Sequence, residues 1–161
     1  VWLPLVAIVS TNQATVTIGS NNQTIPLIFD TGSDTTWVNP DCSKIPNDTE
    51  HDRDYCLKQP RYDPFSSNTA AMCDKCFNFT YGSGHVLGSY FKDDVKVGSA
   101  VAKNAMFGVA VAADGFPAGI LGAGIRASNG PPTLIEALAA QGQINSYAFS
   151  VNYGSKNETG K

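Results

Sequence analysis

Polar and apolar positions alternate along most of this chain in short runs, the two-residue period of half-buried β-strands. Thr15-Val16-Thr17-Ile18 alternates, Gly19-Ser20-Asn21-Asn22 supplies turn residues, and residues 25–29 are apolar. This predicts a hairpin that delivers Asp30 at its end. Phe77-Asn78-Phe79-Thr80-Tyr81 alternates again, breaks at Gly82-Ser83-Gly84 and returns through Val86-Leu87-Gly88-Ser89-Tyr90, a second hairpin with a glycine-rich tip. Residues 94–97, 104–111 and 147–151 read as further strands. One helix is predicted, with Thr133 as its cap, Leu134, Ile135, Leu138 and Ala139 on one face, and Gly142 as its stop. Residues 39–70 are polar and rich in Pro, Asn, Asp and Ser, and read as a loop region. No internal repeat occurs at solenoid spacing. The expectation is an all-β lobe with one short helix.

Composition narrows the class. The 161 residues are 42% hydrophobic and 16% charged, which excludes a disordered chain or a coiled coil. The net charge is −3 with 11 Lys plus Arg, and no basic stripe points to nucleic acid. No hydrophobic run of membrane length and no signal peptide is visible, which fits mature numbering after removal of upstream segments. Few cations are compatible with acid tolerance, because less unbalanced positive charge remains when carboxylates protonate. The four cysteines, Cys42, Cys56, Cys73 and Cys76, and the four Asn-X-Ser/Thr sequons at Asn22, Asn47, Asn78 and Asn157 favour an oxidising, secretory environment. Disulfides fit better than zinc, since Cys73-Asp-Lys-Cys76 lacks a second close-spaced ligand pair and His51 and His85 are poorly placed to make one. The favoured pairing is Cys42–Cys56 and Cys73–Cys76, with the nested alternative open. Secretion is expected, with an acidic vacuole or lysosome as the alternative.

Chemistry concentrates at Ile28-Phe29-Asp30-Thr31-Gly32-Ser33, followed by Trp37-Val38. A carboxylate leaves an apolar strand and opens a turn whose glycine lets another chain approach closely and whose hydroxyls can hold a carboxylate. Alone, such a run also describes an Asx-type turn capping a strand. The ordered series around it is more specific. It runs from Ile18-Gly19 and Gln23 through Asp30 to Ser33 and Trp37-Val38, then Tyr62-Asp63-Pro64, Ser66-Ser67, Tyr81-Gly82-Ser83-Gly84, Gly119-Ile120-Leu121-Gly122 and Gln141-Gly142. This series resembles the N-terminal lobe of pepsin-like aspartic proteases over nearly the whole chain.

The resemblance implies that residues 1–161 are one lobe of a bilobal protease, with the C-terminal lobe not in this chain. It implies Asp30 as this lobe's catalytic aspartate and Thr31 as part of a hydroxyl–backbone lattice between two active-site loops. Gly32 would lie where the substrate backbone passes, and Ser33 would hydrogen-bond the Asp30 carboxylate. Tyr81, Gly82 and Ser83 would form the tip of a flap over bound peptide, with Trp37 as partner of the Tyr81 hydroxyl. Ile28 and Ile120 would line the pocket for the residue before the cut. Three positions depart from the family pattern: Pro117-Ala118 where an aromatic and an Asp are frequent, Asp34 in place of a small polar residue, and Asn12 in place of a Tyr. No metal and no cofactor is implied. The chemistry requires a second carboxylate, and no second Asp-Thr-Gly or Asp-Ser-Gly occurs. A separate C-terminal chain, produced by cleavage near the polar end at Lys161, is therefore the expected partner, with peptides or proteins as substrates. The alternative is a catalytically inactive pepsin-like binding or inhibitor protein.

Overall fold

A computed structural model describes residues 5–8, 11–45, 50–127 and 129–151. Eight strands form one sheet: β1 (Leu5–Ile8), β2 (Thr11–Ile18), β3 (Gln23–Asp30), β4 (Trp37–Val38), β5 (Ala71–Tyr81), β6 (Gly84–Val97), β7 (Ala100–Ala113) and β8 (Gly119–Gly122). Their spatial order is β1-β2-β3-β8-β4-β7-β6-β5, and an added pairing of β2 with β6 curls the sheet towards a barrel. The all-β expectation holds.

The two-residue period sorts the side chains. Ala14, Val16 and Ile18 of β2, Ile25 and Leu27 of β3, and Val95 and Val97 of β6 point into a core shared with Ala102, Phe107 and Leu121. A second cluster, built on Trp37, Phe77, Val86, Tyr90, Phe116 and Ile120, fills the space under the β5–β6 hairpin. Phe77 lies across Gly88 and Gly108, where a Cβ would meet its ring at 2.7 Å and 2.5 Å, so these glycines admit the aromatic layer.

The turn at Gly19–Asn22 and the hairpin it predicts are present, with Gly19 and Asn22 at φ of +84° and +57°. Helix α2 (Leu134–Ala140) has the expected cap: Thr133 Oγ1 accepts from Glu136 N at 3.1 Å, and Glu136 Oε2 accepts from Thr133 N at 2.9 Å. Gly142 follows at φ +67°. Leu134 and Leu138 bury against the barrel.

Three expectations are corrected. A second helix, α1 (Glu50–Lys58), occupies part of the region read as loop. Its only buried side chain is Cys56, so it carries no apolar stripe for periodicity to detect. Glu50 and Asp52 in the first turn and Lys58 in the last suit the helix dipole instead. Cys56 is bonded to Cys42, as expected, and the Tyr55 hydroxyl donates to Gln13 Oε1 at 2.5 Å, fastening the helix to β2. Cys73 and Cys76, by contrast, are free thiols. They flank a bulge in β5, where Met72 pairs with Phe91 and Cys76 pairs with Ser89. Cys73 turns inward onto the aromatic cluster while Cys76 is exposed, so the two sulfurs face apart. Finally, residues 147–151 form no strand. They alternate correctly but meet no neighbouring strand among the described residues, and Phe149 instead packs edge-on against Phe29 at 5.2 Å. The sequons at Asn47 and Asn157, and Lys161, lie outside the described residues.

Candidate active site

Asp30 is the last residue of β3, opposite Gly122 of β8 in a parallel pair. The two strand ends hold the following turn from below. Ala123 N donates to Asp30 O at 2.8 Å, Gly124 N to Ser33 O at 2.8 Å, and Gly122 N to Thr36 Oγ1 at 3.3 Å. Gly122 has to be glycine, since a Cβ there would come 2.6 Å from Thr35 N. The Asp30 carboxylate curls over its own turn and accepts from Gly32 N at 2.8 Å through Oδ1. Thr31 and Gly32 are exposed above it. A strand that would otherwise end in solvent thus presents one oriented carboxylate beside an open glycine.

The β5–β6 hairpin faces this turn. Tyr81 ends β5, Gly82 and Ser83 form the exposed tip, and Trp37 Nε1 donates to the Tyr81 hydroxyl at 3.2 Å. Phe116 stands edge-on to both rings, with centroids 5.2 Å from Trp37 and 5.3 Å from Tyr81. Burial raises the Tyr81 pKa above the ordinary phenol value. The Trp37 hydrogen bond and the nearby Ser33 hydroxyl oppose that rise, and the nearby Asp30 and Asp34 carboxylates add to it. Tyr81 therefore stays a neutral hydroxyl and lies within electrostatic reach of Asp30. Ser33 Oγ is buried without a partner of good hydrogen-bond geometry and does not bond Asp30, correcting the role that the resemblance implied.

Between turn and hairpin runs a cleft of about 360 Å³, bordered by Thr31, Gly32, Ser33, Phe79, Tyr81 and Ile125, among others. Ile28 and Ile120 pair directly across β3 and β8, and Ile120 is only 4% exposed. Both pack on the cluster that holds Tyr81, and neither lines this cleft. Asp34 also borders the cleft and has partners of its own. Its carboxylate accepts from Ala127 N at 2.7 Å and Thr35 Oγ1 at 3.1 Å, so the extra acid fastens the 123–127 loop. Sequence reasoning missed Phe116 and Ile125. Phe116 was visible as an aromatic one position before the Pro117-Ala118 departure, and Ile125 as an apolar residue between Gly124 and Arg126 that the structure leaves 98% exposed. A second, apolar groove of about 670 Å³ lies on the other side of Asp30, lined by Phe29, Leu121, Leu134, Leu138, Phe149 and Val151 among others.

Among the described residues no cluster of three or more His, Cys, Asp or Glu is placed to hold a metal, and no helix is long and apolar enough to cross a membrane. The sequence profile of the eukaryotic aspartyl proteases matches residues 12–161. Secreted aspartic protease 6 of Candida albicans is 32% identical over 148 residues, covering 88% of this chain and 35% of that protein. Probable vacuolar protease A of Trichophyton verrucosum is 31% identical over 154 residues, covering 90% and 36%. The crystal structure of the aspartic proteinase from Irpex lacteus matches at a TM-score of 0.78 and 25% identity, over 98% of this chain and 44% of that one. The chain spans about a third of the length of these curated relatives. With a family profile running over nearly its whole length and an oriented aspartate beneath a tyrosine-tipped flap, this chain belongs to the eukaryotic aspartyl protease family.

Proposed function

We propose that this chain is the N-terminal lobe of an acid endopeptidase and supplies one of its two catalytic aspartates, Asp30. A second lobe, in the same polypeptide or a companion chain, carries the other. The observation that carries this reading is the pairing of Asp30, held on Gly32 N, with a cleft that the Tyr81 flap overlooks. The open apolar groove that reaches Phe29 and Gly122, the chain neighbour and the strand partner of Asp30, supports it, because an uncovered surface of that size is suited to a packed partner.

Two carboxylates brought together cannot both ionise cheaply, so they share one proton and act together as base and acid. A water between them is deprotonated by one oxygen as it attacks the peptide carbonyl carbon. The other carboxyl protonates the carbonyl oxygen, and the proton passes on to the leaving nitrogen. In this chain the Gly32 N–H orients Asp30, Gly32 leaves room for the substrate backbone, and Tyr81 with Gly82 and Ser83 closes over the peptide to exclude water. Peptides and proteins are the proposed substrates, and a secreted or acidic vacuolar location fits the two relatives named for those sites.

The test is acid proteolysis of a denatured protein substrate by the full-length protein, with and without a statine-type transition-state mimic. Cleavage that rises at acid pH and is blocked by the mimic is expected. Tight binding of the mimic without cleavage would instead identify an inactive pepsin-like binding protein.

A further inference from the structure

The strand that carries the flap tyrosine is an open edge. In the sheet order β5 is terminal, and no strand pairs with its outer side among the described residues. It is 11 residues long, where exposed edges in soluble proteins are usually short, charged or interrupted. The bulge between Met72 and Cys76 interrupts the first part and carries Asp74 and Lys75. From Cys76 to Tyr81 the ladder with β6 is regular, and this stretch holds Phe77 and Phe79 with no charge at all. It is the kind of segment that recruits a foreign strand.

Asn78 lies in that unguarded stretch and opens the sequon Asn78-Phe79-Thr80. Alternation sends Phe77 inward and leaves Asn78 and Thr80 exposed on the solvent face. From the paired strand, His85 Nε2 donates to Asn78 Oδ1 at 2.5 Å. That contact occupies the carbonyl oxygen and leaves Nδ2, the atom a glycan takes, without a protein partner among the described residues. The Cys42–Cys56 disulfide and a relative named as secreted both suit passage through a compartment where glycans are added.

We propose that Asn78 is N-glycosylated and that its glycan, held through Oδ1 by His85, guards the open edge of the flap strand. The donor is a lipid-linked diphospho-oligosaccharide. A bond forms between Asn78 Nδ2 and the anomeric carbon, the bond from that carbon to phosphate oxygen breaks, the lipid diphosphate leaves, and the amide nitrogen loses one proton. Transfer precedes folding, and the folded strand then presents the glycan on an exposed residue that does not border the cleft, unlike Phe79, Thr80 and Tyr81 further along the strand. A branched, hydrated chain at the centre of the regular stretch blocks the approach of a second strand.

The experiment uses the full-length protein secreted from a eukaryotic host. Trypsin releases residues 76–92 with Asn78 as the only sequon. Release of N-glycans in heavy-oxygen water should mark this peptide by deamidation at Asn78, and Thr80→Ala, an exposed substitution, should abolish the mark. Enzymatic removal of glycans from the folded protein should speed its loss to aggregates several-fold, while the Thr80→Ala protein, given the same treatment to strip any glycans at the other sequons, should aggregate at that same faster rate. An unmodified 76–92 peptide overturns the site. A modified peptide whose removal leaves aggregation unchanged overturns the guarding role.

Discussion

Replacing Tyr62 with Phe removes one hydroxyl from a fully buried carboxylate, and the structure gives the size and the pH dependence of the effect. Asp93 is 0% exposed. It accepts from the Tyr62 hydroxyl at 2.7 Å, the Thr69 hydroxyl at 2.5 Å and Asp94 N at 2.8 Å, with Ser67 close by. Burial alone pushes its pKa up, but the hydrogen bonds from Thr69, Tyr62, Ser67 and Asp94 together outweigh burial, and the net shift is downward. A carboxyl whose pKa is lowered on folding stabilises the fold above its unfolded pKa, and that stabilisation is lost as pH falls through the folded value. Tyr62→Phe keeps the ring against Phe107, 5.2 Å between centroids, and deletes only the charged hydrogen bond. A hydrogen bond to a charged group is worth about 1.5–3 kcal/mol, falling to about 1 kcal/mol when both partners are neutral. The variant should therefore lose about 2 kcal/mol near pH 7, or roughly 4–8 °C in Tm for a domain of this size. The deficit should shrink towards about half that value at a pH well below the usual carboxylate range, where Asp93 is protonated. Urea unfolding of the full-length protein at neutral and acid pH measures both values. A deficit that is constant with pH, or that grows on acidification, refutes an ionised, hydroxyl-stabilised Asp93.

Further outcomes follow from single contacts. Tyr81→Phe leaves Trp37 Nε1 without its 3.2 Å acceptor and should lower kcat/KM for peptide cleavage by about tenfold, equivalent to roughly 1.4 kcal/mol, with little change in Tm; unchanged kinetics would remove the flap bond from the mechanism. Thr133→Ala removes the Oγ1 acceptor of Glu136 N, leaves the backbone half of the capping box in place, and should cost about 1 kcal/mol in denaturant unfolding; a loss near zero would mean that packing alone holds α2. Alkylation before reduction should label Cys73 and Cys76, in tryptic peptides 62–75 and 76–92, but not Cys42 or Cys56; label on those two peptides only after reduction would contradict the free thiols.

Much of the fold was legible because its determinants are local. The 15–30 hairpin announces itself by alternation and turn residues, and Thr133 announces itself as the cap of α2. The elements that escaped depend on non-local partners. Helix α1 is held by a disulfide and by Tyr55 on Gln13, not by an apolar face. Residues 147–151 carry a strand pattern but find no ladder among the described residues. At the site, motif order placed Asp30 at a strand end and Tyr81 beside a hairpin tip, and the expected Trp37–Tyr81 bond is present. Ser33 could not be placed this way, because whether its hydroxyl meets a partner depends on how the turn and the hairpin pack, and here Ser33 Oγ is buried without one. Phe116 and Ile125 were hidden for the same reason, since only folding sets Phe116 against Trp37 and Tyr81 and brings Ile125 to the cleft. The pairing of cysteines likewise depended on the β5 bulge, which sends Cys73 inward and Cys76 outward.

The most direct measurement is peptide hydrolysis at acid pH by the full-length protein carrying Asp30→Asn. The substitution keeps the acceptor oxygen for Gly32 N and the size of the side chain, so the Tm should stay within about 1 °C of the unaltered protein. Cleavage should fall to the uncatalysed background, since the proposed mechanism needs a carboxylate at position 30 to share the proton. An Asp30→Asn protein that folds normally and still cleaves at a comparable rate contradicts the assignment of Asp30 as a catalytic aspartate.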